Sequence, residues 1–242
     1  MLGLGMGKEG KLAAICHAVE SFFMRRFSAI SSISYSMLAK AGAKTRQSVP
    51  LHFFPNWVDT DFVSPEADAS LFRRRWGISE DTQVVLYSGN LGKKQGLDLL
   101  IQAAGLLAAE QDVLFLVLGE GVEKQALIDQ AKQLNLSNIR FESLQPYQDL
   151  PALMALADVH LVIQKQGVAD AVLPSKLTTI LSAGGYALIT AEAETELGLL
   201  CQQFPGIAEC VEPENVEQFV RALRRMLAAA RSGRPRINKL AR

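Results

Sequence analysis

Several things are scarce in this 242-residue sequence, and each scarcity excludes something. Cysteine occurs three times, at Cys16, Cys201 and Cys210, with no metal-ligand spacing and no even framework for disulfides. That usage fits a reducing, cytosolic compartment. No apolar run approaches the roughly 18 residues that a membrane span needs. Residues 1–10 lack the basic region and long apolar stretch of a signal peptide. Neither sign of charge dominates, with 25 basic residues against 25 acidic ones, so there is no general case for a nucleic-acid partner. Internal repeats and low-complexity segments are absent. The three histidines, His17, His52 and His160, are scattered, and His160 falls in an expected buried strand, where it reads as a core residue.

What is present centres on the stretch Val172-Leu173-Pro174-Ser175-Lys176-Leu177-Thr178-Thr179-Ile180-Leu181-Ser182-Ala183-Gly184-Gly185. It reads as a loop that becomes a helix and stops at a glycine pair. Pro174 suits a helix entry and Ser175 an N-cap. Gly184 and Gly185 supply the left-handed residue that ends the helix. A helix N-terminus offers unpaired N–H groups to a phosphate, and Lys176 adds a full charge at the same place. An ordinary capped helix in an α/β domain would use the same residues.

Upstream, residues 11–26 place Leu12, Ile15, Val19, Phe22 and Phe23 at helical spacing. A short strand over 28–33, a helix over 34–41 and an extended piece over 51–54 follow. These pieces cannot build a sheet with its own core and read as the end of a domain whose beginning is absent. Residues 55–65, bounded by Pro55 and Pro65, read as a linker. Over 66–232 the pattern becomes regular. Strands are expected at 84–88, 113–118, 139–142, 159–163, 187–190 and 208–211. Helices are expected at 97–109, 123–134, 149–157, 176–183, 194–201 and 216–230. Short, wholly apolar strands alternating with amphipathic helices predict an α/β fold, a doubly wound parallel sheet of Rossmann type. The last residues, 233–242, form a basic tail. Arg221, Arg224, Arg225, Arg231, Arg234, Arg236, Lys239 and Arg242 have no acid among them, which suits either a solvated face or an anionic membrane surface.

In such a sheet ligands bind at the carboxyl ends of the strands. Three loops lie there. Ser88-Gly89-Asn90-Leu91-Gly92-Lys93-Lys94-Gln95-Gly96 offers glycines for close approach and two lysines for a diphosphate. Gly119-Glu120-Gly121 follows a strand and opens a helix, although Glu120 would oppose a phosphate. The third is Pro174-Ser175-Lys176-Leu177. Gly3-Leu4-Gly5-Met6-Gly7 looks like a phosphate loop but follows no strand. Asp59-Thr60-Asp61 matches an Asp-x-Asp metal motif, yet lies in a proline-bounded linker and not at a strand end.

Taken in order, the Pro55-Asn56-x-Val58-Asp59 linker, Ser88-Gly89-Asn90-Leu91, Gly119-Glu120-Gly121, Asn138-Ile139-Arg140-Phe141, Leu150-Pro151-Ala152-Leu153 with Ala157-Asp158-Val159, Pro174-Ser175-Lys176-Leu177 and Ala183-Gly184-Gly185 form a pattern. It resembles the carboxyl-terminal, donor-binding domain of family 4 GT-B glycosyltransferases, and within them the bacterial exopolysaccharide enzymes of the colanic-acid type. The resemblance implies two Rossmann-like domains facing across a cleft, with a UDP- or GDP-linked sugar held mainly by the second. It implies transfer to a glycan or lipid-linked acceptor with no metal and no other cofactor. Such an enzyme is cytoplasmic, with peripheral contact at the inner face of the membrane as a further expectation.

The resemblance assigns Gly89, Asn90, Lys93, Lys94, Gly119, Pro174, Ser175, Lys176, Leu177 and Thr179 to the donor nucleotide, and Asp170 to the donor sugar. No catalytic residue is assigned. The arginine common after the first glycine is Asn90 here. The two family glutamates fall on Ala171 and Thr179, neither of them acidic. The chain reads as a donor half that lacks most of the first domain and would bind that missing part or self-associate. A lone nucleotide-binding Rossmann module is the alternative. A dinucleotide oxidoreductase is a third reading, and the missing Gly-x-Gly-x-x-Gly opposes it.

Overall fold

The computed structural model describes residues 11–167, 174–206 and 208–233. They divide into two compact units, one of residues 11–56 with Gly167, the other of residues 57–166, 174–206 and 208–233.

The first unit is a single β–α–β element preceded by a helix. Helix α1 (Lys11–Met24) is followed by β1 (Ile30–Ser32), α2 (Tyr35–Thr45) and β2 (Leu51–Phe53). β1 and β2 pair in parallel, with Ile30 opposite Leu51. Ser34 caps α2 by accepting from the Met37 N–H at 3.2 Å, and the chain leaves the helix through Arg46 in left-handed conformation. Two parallel strands bury little, and Phe22, Phe23, Phe27, Phe53 and Phe54 are exposed.

The second unit carries a six-stranded sheet, every strand parallel. The strands are β3 (Gln83–Ser88), β4 (Val113–Leu118), β5 (Ile139–Glu142), β6 (Val159–Val162), β7 (Ala187–Thr190) and β8 (Ala208–Val211). Their order is β5-β4-β3-β6-β7-β8. The chain winds outward from β3 to β5, returns to β6 beside β3, and winds outward again. That is the doubly wound topology, and the reversal between β3 and β6 opens a crevice at their carboxyl ends. The α/β reading of the sequence holds strand by strand.

The covering helices are α3 (Ser70–Trp76), α4 (Asp98–Leu106), α5 (Lys124–Gln133), α6 (Leu150–Leu156), α7 (Lys176–Ser182), α8 (Glu196–Gln203) and α9 (Val216–Arg231). α4, α5 and α9 share one apolar cluster with Val85, Tyr87, Phe115, Val117, Val159 and Leu161 of the sheet. β3 is buried on both faces from Gln83 to Tyr87, which is why its sequence runs Val-Val-Leu-Tyr without alternation.

Helix α3 was not expected from the sequence. It is seven residues long, has no side-chain cap and carries three consecutive arginines. Phe72 and Arg73 are nevertheless buried. Arg73 satisfies its guanidinium on the Ser79 and Thr82 carbonyls, and Gly77, at φ 61°, ends the helix. Within 57–65, Val63 is only 1 % exposed, its carbonyl accepts from the Ser182 hydroxyl, and Phe62 stacks on Tyr147 at 4.8 Å. This part of the proline-bounded stretch therefore packs on the sheet unit.

The arginines of α9 also differ from a bare basic face. Arg224 pairs with Glu110, Arg225 with Glu209 and Arg231 with Asp112. The acids that pair with these arginines come from neighbouring segments. Arg234, Arg236, Lys239 and Arg242 lie outside the described residues.

Candidate functional site

At the carboxyl end of β3 the chain does not stop pairing. The Gly89 N–H donates to the Leu118 carbonyl at 2.9 Å, Leu91 N–H to the Glu120 carbonyl at 2.8 Å, and Glu123 N–H to the Leu91 carbonyl at 3.0 Å. The loops after β3 and β4 are thereby zipped together. Their glycines follow from this contact. A Cβ on Gly119 would sit 1.9 Å from the Gly89 carbonyl oxygen, and one on Gly121 2.2 Å from that of Leu91. Tyr87, buried, donates its hydroxyl to the Asn90 carbonyl at 2.8 Å and pins the turn. The Gly89, Leu91 and Gln95 amides of this loop are thus spent on the protein itself.

Positive charge at the crevice is carried by side chains. Lys176, in the first turn of α7, folds back so that its ammonium lies 4.0 Å from the centroid of the Tyr87 ring. The same nitrogen lies 3.3 Å from where a Gly89 Cβ would be. It is shut off from solvent and has no hydrogen-bond partner among the described residues. Burial pushes its pKa down to about 8. A buried, unpaired ammonium is costly, and the ring face of Tyr87 offsets only part of that cost.

Lys176 borders a cavity of about 110 Å³, lined also by Ser88, Met154, His160, Thr179 and Ile180. His160 is a core residue, as the sequence suggested. Burial holds its pKa down at about 4, against the opposing effect of a hydrogen bond with the Met154 backbone, and the nearby Lys176 charge lowers it further. Its ring also explains Gly185, where a Cβ would lie 2.7 Å from the imidazole.

The expectations for the start of α7 need correction, while the glycine stop at its end holds. Ser175 has helical backbone angles and its side chain caps nothing. The Leu177 and Thr178 amides are taken by the Pro174 and Ser175 carbonyls, so two of the N–H groups expected to face a phosphate are engaged. The Leu177 side chain is 4 % exposed and belongs to the core. Only Gly184, at φ 75°, is left-handed. It closes a Schellman turn in which Gly184 N–H reaches the Leu181 carbonyl and Gly185 N–H that of Ile180.

Lys93 and Lys94 are exposed on the loop after β3, Asn90 beside them. The structure adds a residue that the motifs did not mark. Lys165, on the loop after β6, donates its backbone N–H to the Lys94 carbonyl at 3.1 Å. Its side chain lies over Gly96, whose Cβ would come within 2.8 Å of Lys165 Cγ. Lys93 and Lys165 border one hollow of about 240 Å³ with Gly92, Gly96 and Asp98. The signal for Lys165 is topological, since it follows the strand next to β3. Thr179 lines the cavity, and Asp170 and Ala171 lie outside the described residues.

Comparison with known proteins gives concordant results. The sequence profile of the family described as glycosyl transferases group 1 matches residues 68–241. The chain is 47 % identical over 232 residues to the putative colanic acid biosynthesis glycosyl transferase WcaI of Escherichia coli K12, covering 94 % of this chain and 57 % of that protein. It superposes with a TM-score of 0.72 at 16 % identity on sucrose-phosphate synthase from Thermosynechococcus elongatus, covering 97 % of this chain and 58 % of that one. Anabaena HepE in complex with UDP and glucose gives 0.70 at 16 % identity, covering 93 % and 60 %. The chain thus spans under two thirds of the length of each of these proteins. No helix among the described residues is long and apolar enough to cross a membrane.

Proposed function

The chain belongs to the group 1 glycosyl transferases, and from that premise we propose that its sheet unit binds the diphosphate of a UDP- or GDP-linked sugar for transfer to a glycan or lipid-linked acceptor. The setting proposed is exopolysaccharide or cell-envelope biosynthesis in the cytoplasm, in peripheral contact with the inner face of the membrane. The observation that carries the reading is Lys176, whose ammonium waits unpaired beside Gly89 at the reversal of strand order. A diphosphate oxygen in the crevice would supply the missing partner as a charge-assisted hydrogen bond. Lys93, Lys94 and Lys165 would neutralise the rest of the charge, and the proposal assigns no metal. Thr179 would meet the ribose or sugar through its hydroxyl, where the family's carboxylate would bind more strongly.

The alternative, a nucleotide-binding module without transfer, draws on one observation: no carboxylate stands at Thr179. Titration with UDP, GDP and NAD, with and without EDTA, tests the binding step. Saturable UDP or GDP binding that Lys176→Ala weakens, that EDTA leaves unchanged and that NAD does not reproduce is the expected result. Acceptor-dependent release of sugar from UDP- and GDP-sugars then separates transferase from module. Equal affinity in the Lys176→Ala variant would overturn the site.

A further inference from the structure

Three strands across the sheet from Lys176, two cysteine side chains meet. Helix α8 delivers Cys201 and edge strand β8 delivers Cys210. The two thiols are near enough to perturb each other's titration, and the Cys210 sulfur lies 3.4 Å from the Ala191 carbonyl to which it donates. Cys201 is buried and Cys210 partly exposed. Both border a hollow of about 360 Å³ that is lined also by Gln202, Pro205 and Glu212. A small reagent therefore has room beside two sulfurs that line the same hollow.

We propose that Cys201 and Cys210 are a reversible dithiol site, oxidised to a disulfide by exchange with small disulfides of the glutathione type. The partly exposed Cys210 attacks first, as its thiolate. Its sulfur bonds to one sulfur of the small disulfide, whose S–S bond breaks and releases one thiolate. Cys201, deprotonated to solvent, then attacks the Cys210 sulfur and expels the second small thiolate. Two protein thiols are oxidised, one small disulfide is reduced to two thiols, and the two protons end on those products. The protein sulfurs close to a bond of about 2.05 Å. The link ties α8 to the edge strand. The neighbouring thiol and burial raise the Cys201 pKa, while the Cys201 thiol lowers that of Cys210, which matches the order of attack.

The test uses the full chain carrying Cys16→Ser, exposed to oxidised glutathione and then alkylated. Residues 177–220 contain no Lys or Arg, so trypsin leaves both cysteines on one peptide, and a glutamyl protease cutting after Glu209 falls between them. The expected result is two fragments that stay joined until reductant is added. Phenylarsine oxide, which bridges adjacent thiols, should bind one per chain and block the oxidation. Cys201→Ser and Cys210→Ser should each abolish both effects while melting as the parent does. Fragments that separate without reductant, or glutathione retained on two independent cysteines, would overturn the proposal. So would phenylarsine oxide binding that persists in a correctly folded Cys201→Ser variant.

Discussion

Replacing Lys176 by methionine should stabilise the protein while weakening nucleotide binding. The Lys176 pKa falls from 10.5 to about 8 in the folded chain. At about 1.4 kcal/mol per tenfold change, this is a penalty of about 3.4 kcal/mol for keeping the ammonium charged. The unfolded chain holds the proton more tightly, so stability climbs as pH rises from about 8 to 10.5, and the full penalty applies below about 8. Linkage gives a gain of about 1.3 kcal/mol between pH 7 and 9 from this group alone. Contributions from all other groups cancel when parent and Lys176→Met are compared. Tyr87, the ring against which the ammonium rests, is pushed up by burial and stays neutral throughout. Urea denaturation at both pH values should show the parent gaining about 1.3 kcal/mol more than the variant. At pH 7 the variant should be the more stable by roughly 1–3 kcal/mol. A bound diphosphate would restore the Lys176 pKa, so UDP affinity should fall as pH rises above about 8 in the parent and be weaker by about 1–3 kcal/mol in the variant. Identical pH slopes in the two proteins would refute the buried, unpaired ammonium. Identical UDP affinities would refute its role.

The glycines give a contrasting pair. Gly119→Ala drives a Cβ to 1.9 Å from a backbone oxygen and should cost about 1–3 kcal/mol or more by overpacking. Gly105→Ala, in α4 with its nearest neighbour 3.9 Å away, should stabilise by about 0.5–1 kcal/mol; denaturant midpoints check both. His160 is buried neutral with a pKa of about 4 against 6.5, so its stabilising contribution is complete above about 6.5 and falls as pH drops toward 4. It should account for about 1.8 kcal/mol of the loss between pH 7 and 5, and His160→Leu should lose that component of the acid slope. Lys93→Ala and Lys165→Ala should each reduce UDP affinity modestly and flatten its salt dependence, as screened surface charges do; calorimetry at two ionic strengths measures both.

Much of the sheet unit is legible in the sequence because its inner strands are buried on both faces. Val84-Val85-Leu86-Tyr87 and Val113 to Leu118 admit no polar interruption, and six short strand segments alternating with helical periods leave few topologies open. α3 escapes because seven residues carry too little periodicity, and its burial depends on Arg73 finding the Ser79 and Thr82 carbonyls. The reach of α9's arginines escapes for a similar reason. Glu110 and Asp112 precede it by more than a hundred residues, a pairing that no local pattern encodes.

The candidate site was legible in its location and not in its means. Glycine-rich loops and a helix start at strand ends mark the crevice correctly, because the strand order reverses there. A sequence reading then gives their glycines and amides to a phosphate. The structure gives many of them to the protein: Gly119 exists for the Gly89 carbonyl, Gly185 for the His160 ring, and the Leu177 and Thr178 amides for their own turn. Each is a contact between residues distant in sequence or hidden in local geometry, so the same glycine signal serves two purposes that sequence alone cannot separate. The consequence for binding is specific. With these backbone donors engaged, the proposed anion recognition leans on Lys176 and the lysines around it. Affinity should therefore depend on pH and salt more steeply than a cradle of amides would allow, because the Lys176 ammonium titrates and exposed lysine charges are screened, while backbone dipoles do not titrate.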